Sequence, residues 1–467
     1  MRSVAAQITA RFMASSASYS QPVSSANLVK FDDSLKRNAL AGAVYSAGAT
    51  LLMAVSYPLY LRWLGYERYG LWLVLSTVLS FAQLGNLGLG QAVSKQVAAE
   101  HGRNNIQGIN ACVSTSLCVL LITGALICLV IFALRTAIAG LFHLSAANSA
   151  FVSSTLPLIG LLSLYAICLD AYCSTLIGLG RLDLYSYLQL GMQVVSVGIT
   201  LAFLNAHHGI LSFIIGNVTA YIGLHLATYF TFRRIFRHGL FTLSSFSFAQ
   251  LRETLGLSLY LFGCSIAAML LTPLNRVLLT RYIGVLVLPI YDIIFNGSMK
   301  VRSLLDAAVR GVMPEVSRIA SSKSGVTARE QISALNKKVL RNILICGGPL
   351  YLVLMTCSAP LLQLWLGKNA SSFPQLGLRI TLLGTFVSLL GVPAFYTLLG
   401  LGKGSPLLLA NILQSGIPVL LAFALLYLGK PLSLVYMLAS VASGMVIANI
   451  YLIWQNKRAM SSLSGSA

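Results

Sequence analysis

The sequence predicts an all-α membrane protein with about twelve transmembrane helices, arranged as two pseudo-symmetric six-helix bundles around a central cavity. Three observations predict it: an apolar composition, basic residues in alternate loops, and an internal repeat. Of 467 residues, 57% are hydrophobic and 9% are charged, and the mean hydropathy is +0.81. A water-soluble globular protein could not cover its surface with polar groups at this composition. That class is therefore excluded.

The apolar segments are long enough to cross a bilayer, which takes about 20 residues per helix. A window of that length finds twelve spans in the sequence, at 39–60, 69–89, 109–134, 153–177, 185–204, 209–231, 255–279, 284–302, 340–362, 376–400, 406–428 and 432–454.

The loops between these spans differ in charge. If the amino terminus is inside, the inside segments hold 24 of the 32 Lys and Arg residues. Positive charge retains loops on the cytoplasmic side, so both termini are predicted to be cytoplasmic. The net charge of +21 suits contact with anionic membrane lipids rather than with nucleic acid.

A short motif repeats within the chain. The sequence TLIGLGR at 175–181 returns as TLLGLGK at 397–403, and Leu64-Gly65 is matched by Ile283-Gly284 at nearly the same offset. Repeats six spans apart predict two bundles of the same orientation. The predicted organisation is a disordered cytoplasmic tail (1–36), an N-terminal bundle (37–231), a cytoplasmic linker (232–254), a C-terminal bundle (255–456) and a cytoplasmic tail (457–467). Residues 1–36 also resemble a transit peptide in composition.

Ionisable side chains interrupt the eighth span. At about 100° per residue, six polar residues lie within roughly 40° of one line: Asp292, Asn296, Ser303, Asp306, Arg310 and Ser317. Lys300 and Arg302 flank this stripe. Ionisable groups at bilayer depth cost about 3 kcal/mol each, so the stripe is predicted to face protein or a wet cavity. The alternative is that the helix leaves the membrane near Ser298 and continues as a cytoplasmic loop.

Other spans contribute further polar candidates, namely Gln83, Asn86, Asp170, Asn275 and Arg276. A lone carboxylate at the depth of Asp170 must be protonated or paired. Asp170 is therefore either a proton or sodium coupling site or half of a structural ion pair with the facing bundle. Guanidinium groups bind phosphate through paired hydrogen bonds. The four cations Arg276, Lys300, Arg302 and Arg310 suit an anionic head group, although the spacing of Arg302, Asp306 and Arg310 also allows mutual neutralisation.

Motifs for catalysis or metal binding are absent from the sequence. It contains no Walker loop, no His-Glu-x-x-His and no nucleophile elbow. The eight cysteines lie inside apolar runs, where they resemble small core residues rather than disulfides or metal ligands. We expect no enzyme activity, cofactor or metal.

Several segments resemble the polysaccharide transporter family, which includes the Wzx-type O-antigen and oligosaccharide flippases of the MATE-like MOP superfamily. The resemblance extends from about residue 35 to the end of the chain and is carried by residues 57–72, 87–90, 178–183, 364–367 and 400–403.

The resemblance implies a flippase that moves an undecaprenyl-diphosphate-linked oligosaccharide from the cytoplasmic to the periplasmic leaflet of the cell inner membrane. It implies a substrate cavity that binds the diphosphate and glycan, formed by the candidates named above: Gln83, Asn86, Asn275, Arg276, Asp292, Asn296, Lys300, Arg302, Asp306 and Arg310. The expected partners are this lipid-linked oligosaccharide, membrane lipids, and the polysaccharide polymerase and chain-length regulator of the same pathway.

An ion-coupled exporter of small amphiphilic compounds is the alternative function. Drug-exporting relatives carry acidic coupling residues in their first two spans, whereas neither span contains a carboxylate here. The flippase is therefore the favoured prediction.

Overall fold

Every regular element in the described part of the chain is helical, as predicted. The structure is a computed structural model that describes residues 25–86, 89–236, 266–267, 269–309, 316, 319, 325–367 and 373–464. The helices are α1 (Ser25–Ala82), α2 (Leu89–Gly102), α3 (Ile106–Ala133), α4 (Arg135–Gly140), α5 (Ala146–Gly178), α6 (Leu182–Asn205), α7 (Leu211–Phe236), α8 (Leu271–Tyr282), α9 (Leu288–Val309), α10 (Gly325–Thr356), α11 (Ser358–Leu366), α12 (Gln375–Leu390), α13 (Val392–Gly400), α14 (Ser405–Tyr427) and α15 (Leu434–Ser464). Short 3-10 turns lie at Gln83–Asn86 and Val285–Val287.

Nine helical segments among these residues are long and apolar enough to cross a membrane. One of them, Leu40–Asn86, contains the first two predicted spans, because α1 continues through a non-helical Gly65 that divides it into two arms. The predicted eighth span corresponds to α9, which contains too many charged residues to count among these nine apolar segments. The predicted seventh span is described only from residue 266.

The predicted chain ends and linker are only partly described. Helix α1 begins at Ser25, inside the predicted 1–36 tail, and α7 ends at Phe236, inside the predicted 232–254 linker. Residues 1–24, 237–254 and Arg310 lie outside the described residues. The domain boundaries therefore stay predictions.

The sequence repeat is also a repeat of backbone geometry. Gly180 (φ 73°) and Gly402 (φ 71°) both follow a helix in the left-handed conformation. In each copy the next residue closes the turn, with Arg181 N donating to Leu176 O and Lys403 N donating to Leu398 O. The second matched pair, Gly65 and Gly284, also has positive φ. Glycine adopts this conformation without the steric cost that a Cβ brings.

Within the described part of the chain, the two halves share a hydrophobic core at one end only. This end, called the Gly65 end, carries Gly65, Gly284 and the turns after α6 and α14. Its core combines first-half residues such as Tyr60 and Phe213 with second-half residues such as Leu288. Every other hydrophobic cluster in the described chain belongs wholly to one half. The halves are therefore joined at the Gly65 end and have separate cores at the opposite end.

Two close contacts reinforce this junction. Gly70 in the second arm of α1 lies against the backbone oxygen of Val285, with no room for a Cβ. The indole nitrogen of Trp365 donates a hydrogen bond of 2.5 Å to the carbonyl oxygen of Ala54. Both contacts connect the first half of the chain to the second.

We expect Gly180→Ala to lower the melting temperature of the detergent-purified protein. An alanine in the left-handed conformation costs about 1–2 kcal/mol, and Gly180 has a φ of 73°. The measurement is thermal unfolding followed by circular dichroism. Gly191→Ala is the control, because Gly191 lies inside α6 with no atom within 4 Å of an added Cβ. Alanine favours helix there, so a loss at residue 191 equal to that at 180 would contradict the argument.

Candidate functional site

A large cavity lies mainly within the first half of the molecule. Its volume is about 910 Å³, and the side chains of Ile266 and Met269 close it from the second half. We call it the amide cavity, because its polar lining is dominated by amides and hydroxyls: Tyr45, Gln83, Asn86, Ser94, Lys95, Asp170, Ser174, Gln189, Gln193, Ser196, Asn217 and Tyr221. Among these residues only Lys95 and Asp170 carry charge. The cavity therefore offers many neutral hydrogen-bonding groups and little net charge.

A second cavity of about 340 Å³ lies between the halves, near the Gly65 end. We call it the ion-pair pocket. Its polar lining comes from both halves and comprises Ser56, Tyr57, Tyr60, Tyr69, Ser76, Gln193, Ser196, Thr200, Asn217, Arg276, Asp292, Asn296 and Lys300. Gln193, Ser196 and Asn217 line both cavities. The two cavities therefore adjoin along one shared wall.

A buried ion pair forms the second-half wall of this pocket. The guanidinium of Arg276 on α8 contacts the carboxylate of Asp292 on α9, and their side chains are 9% and 3% exposed. The tight turn through Gly284 and the 3-10 residues reverses the chain between the two helices. Buried charges persist only when they are paired and hydrogen-bonded, so each partner compensates the other.

The first half adds two hydrogen bonds to this pair. The Tyr57 hydroxyl donates to Asp292 Oδ2 at 2.8 Å, and Arg276 Nη1 donates to Ser76 Oγ at 3.0 Å. Tyr57 and Ser76 lie on the two arms of α1, on either side of the kink at Gly65. The four side chains therefore form one network that links the halves.

The structure separates the predicted polar stripe of α9 into two parts. Asp292, Asn296 and Lys300 line the ion-pair pocket. Asp306 instead accepts a hydrogen bond from the Tyr396 hydroxyl at 3.3 Å, within the second half. Arg302 is half-buried and lies within electrostatic reach of Tyr351 on α10. The carboxyl end of α9 therefore faces helices of its own half, where Asp306 is hydrogen-bonded to Tyr396 and Arg302 lies near Tyr351.

The remaining candidates divide between the two cavities and the core. Gln83, Asn86 and Asp170 line the amide cavity, and Arg276 lines the ion-pair pocket. Asn275 is fully buried and belongs to the lining of neither cavity.

Asp170 on α5 supports the interruption between α1 and α2. The Asn86 amide nitrogen donates to Asp170 Oδ2 at 2.5 Å, while Asn86 Oδ1 accepts from the Gly90 backbone N–H at 3.3 Å. A Cβ at Gly90 would collide with the Asp170 carboxylate and with Ser174 Oγ. No described Lys or Arg forms an ion pair with Asp170. Within the described chain, its partner is thus an amide and not a cation.

Sequence reasoning missed the amides that give the larger cavity its character. Gln189, Gln193 and Ser196 are spaced four and three residues apart on α6, so they share one helix face, and all three line the amide cavity. That spacing was visible in the sequence. Ser76 carried no comparable signal, because serine hydroxyls in helices commonly bond their own backbone, and Tyr57 is one of 20 tyrosines in the chain.

Metal and disulfide chemistry find no support in the described residues. No group of three or more His, Cys, Asp or Glu side chains there could hold a metal ion. Seven of the eight cysteines are described, and all seven are free thiols.

Comparison with protein families gives one match. The profile of a family described as polysaccharide biosynthesis protein matches residues 35–320, more than half of the chain. A search of curated proteins finds no relative of this sequence.

Solved structures share the fold over nearly the whole chain. The chain is similar to an inward-facing multidrug resistance MATE family transporter of the MOP superfamily, with 14% identity, 92% of this chain and 99% of that chain covered, and a TM-score of 0.75. It is similar to a MATE protein in complex with MaD5, with 16% identity, 92% and 96% covered, and a TM-score of 0.62. A third neighbour is a MOP superfamily transporter from Pyrococcus furiosus Vc1, whose binding pocket is described as having reverse polarity, with 16% identity, 92% and 96% covered, and a TM-score of 0.57. At these identities the likeness establishes the fold.

We expect Arg276→Gln to destabilise the protein by about 3–5 kcal/mol, because it leaves Asp292 buried without its counter-charge. The double variant Arg276→Met with Asp292→Leu should lose less, since no unpaired charge remains. Thermal unfolding in detergent compares the two variants. Arg281→Gln on the same helix is the control, because Arg281 contacts the ring of Tyr282 and lines neither cavity. A double variant at least as unstable as Arg276→Gln would contradict this account.

Proposed function

Because the chain belongs to the polysaccharide biosynthesis protein family and is a MOP superfamily transporter, we propose that it is a flippase for an undecaprenyl-diphosphate-linked oligosaccharide. The cargo would be an O-antigen, capsule or exopolysaccharide repeat unit, moved from the cytoplasmic to the periplasmic leaflet of the inner membrane by alternating access. The proposal involves no catalytic step. Its other components are membrane lipids and, as partners in the same pathway, a polysaccharide polymerase and a chain-length regulator.

The observation that carries this proposal is the pairing of an amide cavity with a charged pocket. Sugar hydroxyls both donate and accept hydrogen bonds, and side-chain amides can do both in return. The shared wall of Gln193, Ser196 and Asn217 leads from the amide cavity to the pocket that contains Arg276 and Lys300. A glycan in the first cavity could therefore place its diphosphate in the second, while the polyprenyl chain stays in lipid.

The separate cores of the halves support entry from one side. The positive-inside count assigns the Gly65 end to the periplasm and both termini to the cytoplasm. Among the described residues the halves share a core only at the Gly65 end, so the cleft would open toward the cytoplasmic leaflet, where lipid-linked oligosaccharides are assembled. This arrangement corresponds to the inward-facing step of alternating access.

The first test measures flipping in proteoliposomes that contain a fluorescent prenyl-diphosphate disaccharide. We expect Gln193→Leu and Asn217→Leu each to lower the rate about fivefold, because one lost hydrogen bond costs about 1 kcal/mol. The control is Gln107→Leu, which removes an exposed amide at the start of α3. Wild-type protein that leaves the disaccharide in its original leaflet would refute the flippase proposal.

The half-buried carboxylate of Asp170 in the amide cavity favours one second candidate, an ion-coupled exporter of small amphiphilic compounds. Asp170 lines the cavity without a cationic partner in the described chain, as an ion-coupling carboxylate would. The same vesicles separate the two functions when they are loaded with a cationic dye. Dye export driven by a proton or sodium gradient, without movement of the lipid-linked disaccharide, would establish the exporter.

We expect Asp170→Asn to remove the response of transport to an imposed proton or sodium gradient and to leave exchange without a gradient unchanged. The asparagine keeps the size of the side chain and its hydrogen bond with Asn86 but carries no charge to neutralise. Flipping is measured with and without each gradient. An equal loss under both conditions would contradict an ion-coupling role for Asp170.

A further inference from the structure

Arg276 belongs both to a cavity lining and to the network that joins the halves. It lines the ion-pair pocket, where a charged ligand could reach it, and it lies in the network that links the halves through Ser76 and Asp292. Any group that competes for its guanidinium therefore also acts on the junction of the halves. This double position is the basis of the inference, which rests on the proposed function.

The other cation of the pocket is less constrained. Lys300 is half-buried on α9, two helical turns beyond Asp292, and forms no ion pair with a described residue. A diphosphate that enters from the amide cavity would meet its ammonium group without having to displace a carboxylate. Arg276 is different, because its Nη2 already contacts Asp292 Oδ1 and its Nη1 donates to Ser76 Oγ, while its Nε has no hydrogen-bond partner among the described residues.

We propose that the diphosphate of the substrate takes the place of Asp292 at Arg276, and that this exchange loosens the Gly65 end. Phosphate oxygens accept the same paired hydrogen bonds from a guanidinium as a carboxylate does. Once displaced, Asp292 is no longer held by Arg276 and its bond with Tyr57 weakens as the pocket hydrates. Of the two hydrogen bonds by which this network crosses the cleft, the one from Tyr57 to Asp292 then depends on the ligand.

The energetic argument concerns the difference between two states. A ligand shifts a conformational equilibrium only by its differential affinity for the states. In the closed state Ser76 and Tyr57 of the first half hold Arg276 and Asp292 in their pair. A state with the Gly65 end open lacks these two hydrogen bonds, so the diphosphate displaces Asp292 more easily and binds Arg276 together with Lys300. The two bonds across the cleft therefore make the open state the better binder, and binding of the substrate favours opening.

The test follows the distance between the Gly65 ends of the two halves. Spin labels are placed at Ala206→Cys and Lys430→Cys, two exposed turn residues that follow α6 and α14, in a variant whose eight native cysteines are alanine. Farnesyl diphosphate serves as the probe, and farnesol, which lacks the charge, serves as its control. We expect farnesyl diphosphate to increase the population with the longer distance and farnesol to leave it unchanged.

Variants distinguish the role of Arg276 in ligand binding from its role in joining the halves. Asp292→Asn should bind farnesyl diphosphate about tenfold more tightly in calorimetric titration, the scale of a typical coupling between two sites, and should show the longer distance without ligand. Lys300→Gln should weaken binding about tenfold and keep the resting distance. Tyr57→Phe, which leaves the ion pair intact, should show partial opening without ligand, and Arg281→Gln should match the wild type.

The outcomes distinguish this inference from the proposed function. The exchange at Arg276 is refuted, and the flippase proposal stands, if the wild type flips the disaccharide but the distance between the labels does not change with farnesyl diphosphate. The same conclusion follows if Asp292→Asn binds farnesyl diphosphate no more tightly than the wild type. If the wild type neither binds farnesyl diphosphate nor flips the disaccharide, the proposed function itself fails.

Discussion

The pairing of Arg276 with Asp292 is the constraint on which the arrangement of the two halves depends. Two charges at this depth persist only with full compensation, and the compensation comes from both sides of the cleft, since Tyr57 and Ser76 belong to the first half. The pair therefore does more than stabilise α8 against α9. The buried charges of the second half are compensated in part by hydrogen bonds that exist only while the first half is in place.

Around this pair the molecule separates two kinds of polarity. Neutral amides and hydroxyls line the larger cavity, while the cations Arg276 and Lys300 lie in the smaller pocket near the shared core. A cargo with an uncharged glycan and a charged diphosphate matches this arrangement, because the glycan suits the larger cavity and the diphosphate suits the smaller pocket. The cavities meet at Gln193, Ser196 and Asn217, so a single extended ligand could occupy both without crossing an apolar barrier.

The parts of the fold that depend on local sequence were predictable. Hydropathy located the spans, and the repeated glycines marked turns whose geometry is the same in both halves, as Gly180 and Gly402 show. The predicted boundary between the first two spans corresponds to the kink at Gly65, on both sides of which the chain is helical. The apolar character of a helix is set by its own residues, so the positions of the described helices follow from the local sequence.

The candidate site was only partly predictable, because its contacts join distant segments. Asp292 and Tyr57 are 235 positions apart, and no feature of either segment predicts a contact with the other. The polar stripe on α9 follows from helical spacing, yet its residues serve different surroundings, since Asp292 faces the pocket and Asp306 faces Tyr396. The amides of α6 were passed over because neutral polar side chains commonly bond between membrane helices. Their place in the lining of the amide cavity, which only the structure shows, indicates that they are available to a ligand.

The hydrogen bond from Trp365 to the Ala54 carbonyl gives the molecule an intrinsic optical reporter. The chain contains only four tryptophans, and this indole lies at the junction of the halves with its N–H engaged. Separation of the halves would exchange that carbonyl for water, which changes the polarity around the ring and hence the wavelength of its emission. Ultraviolet fluorescence of the unlabelled protein could then follow opening and closing in real time.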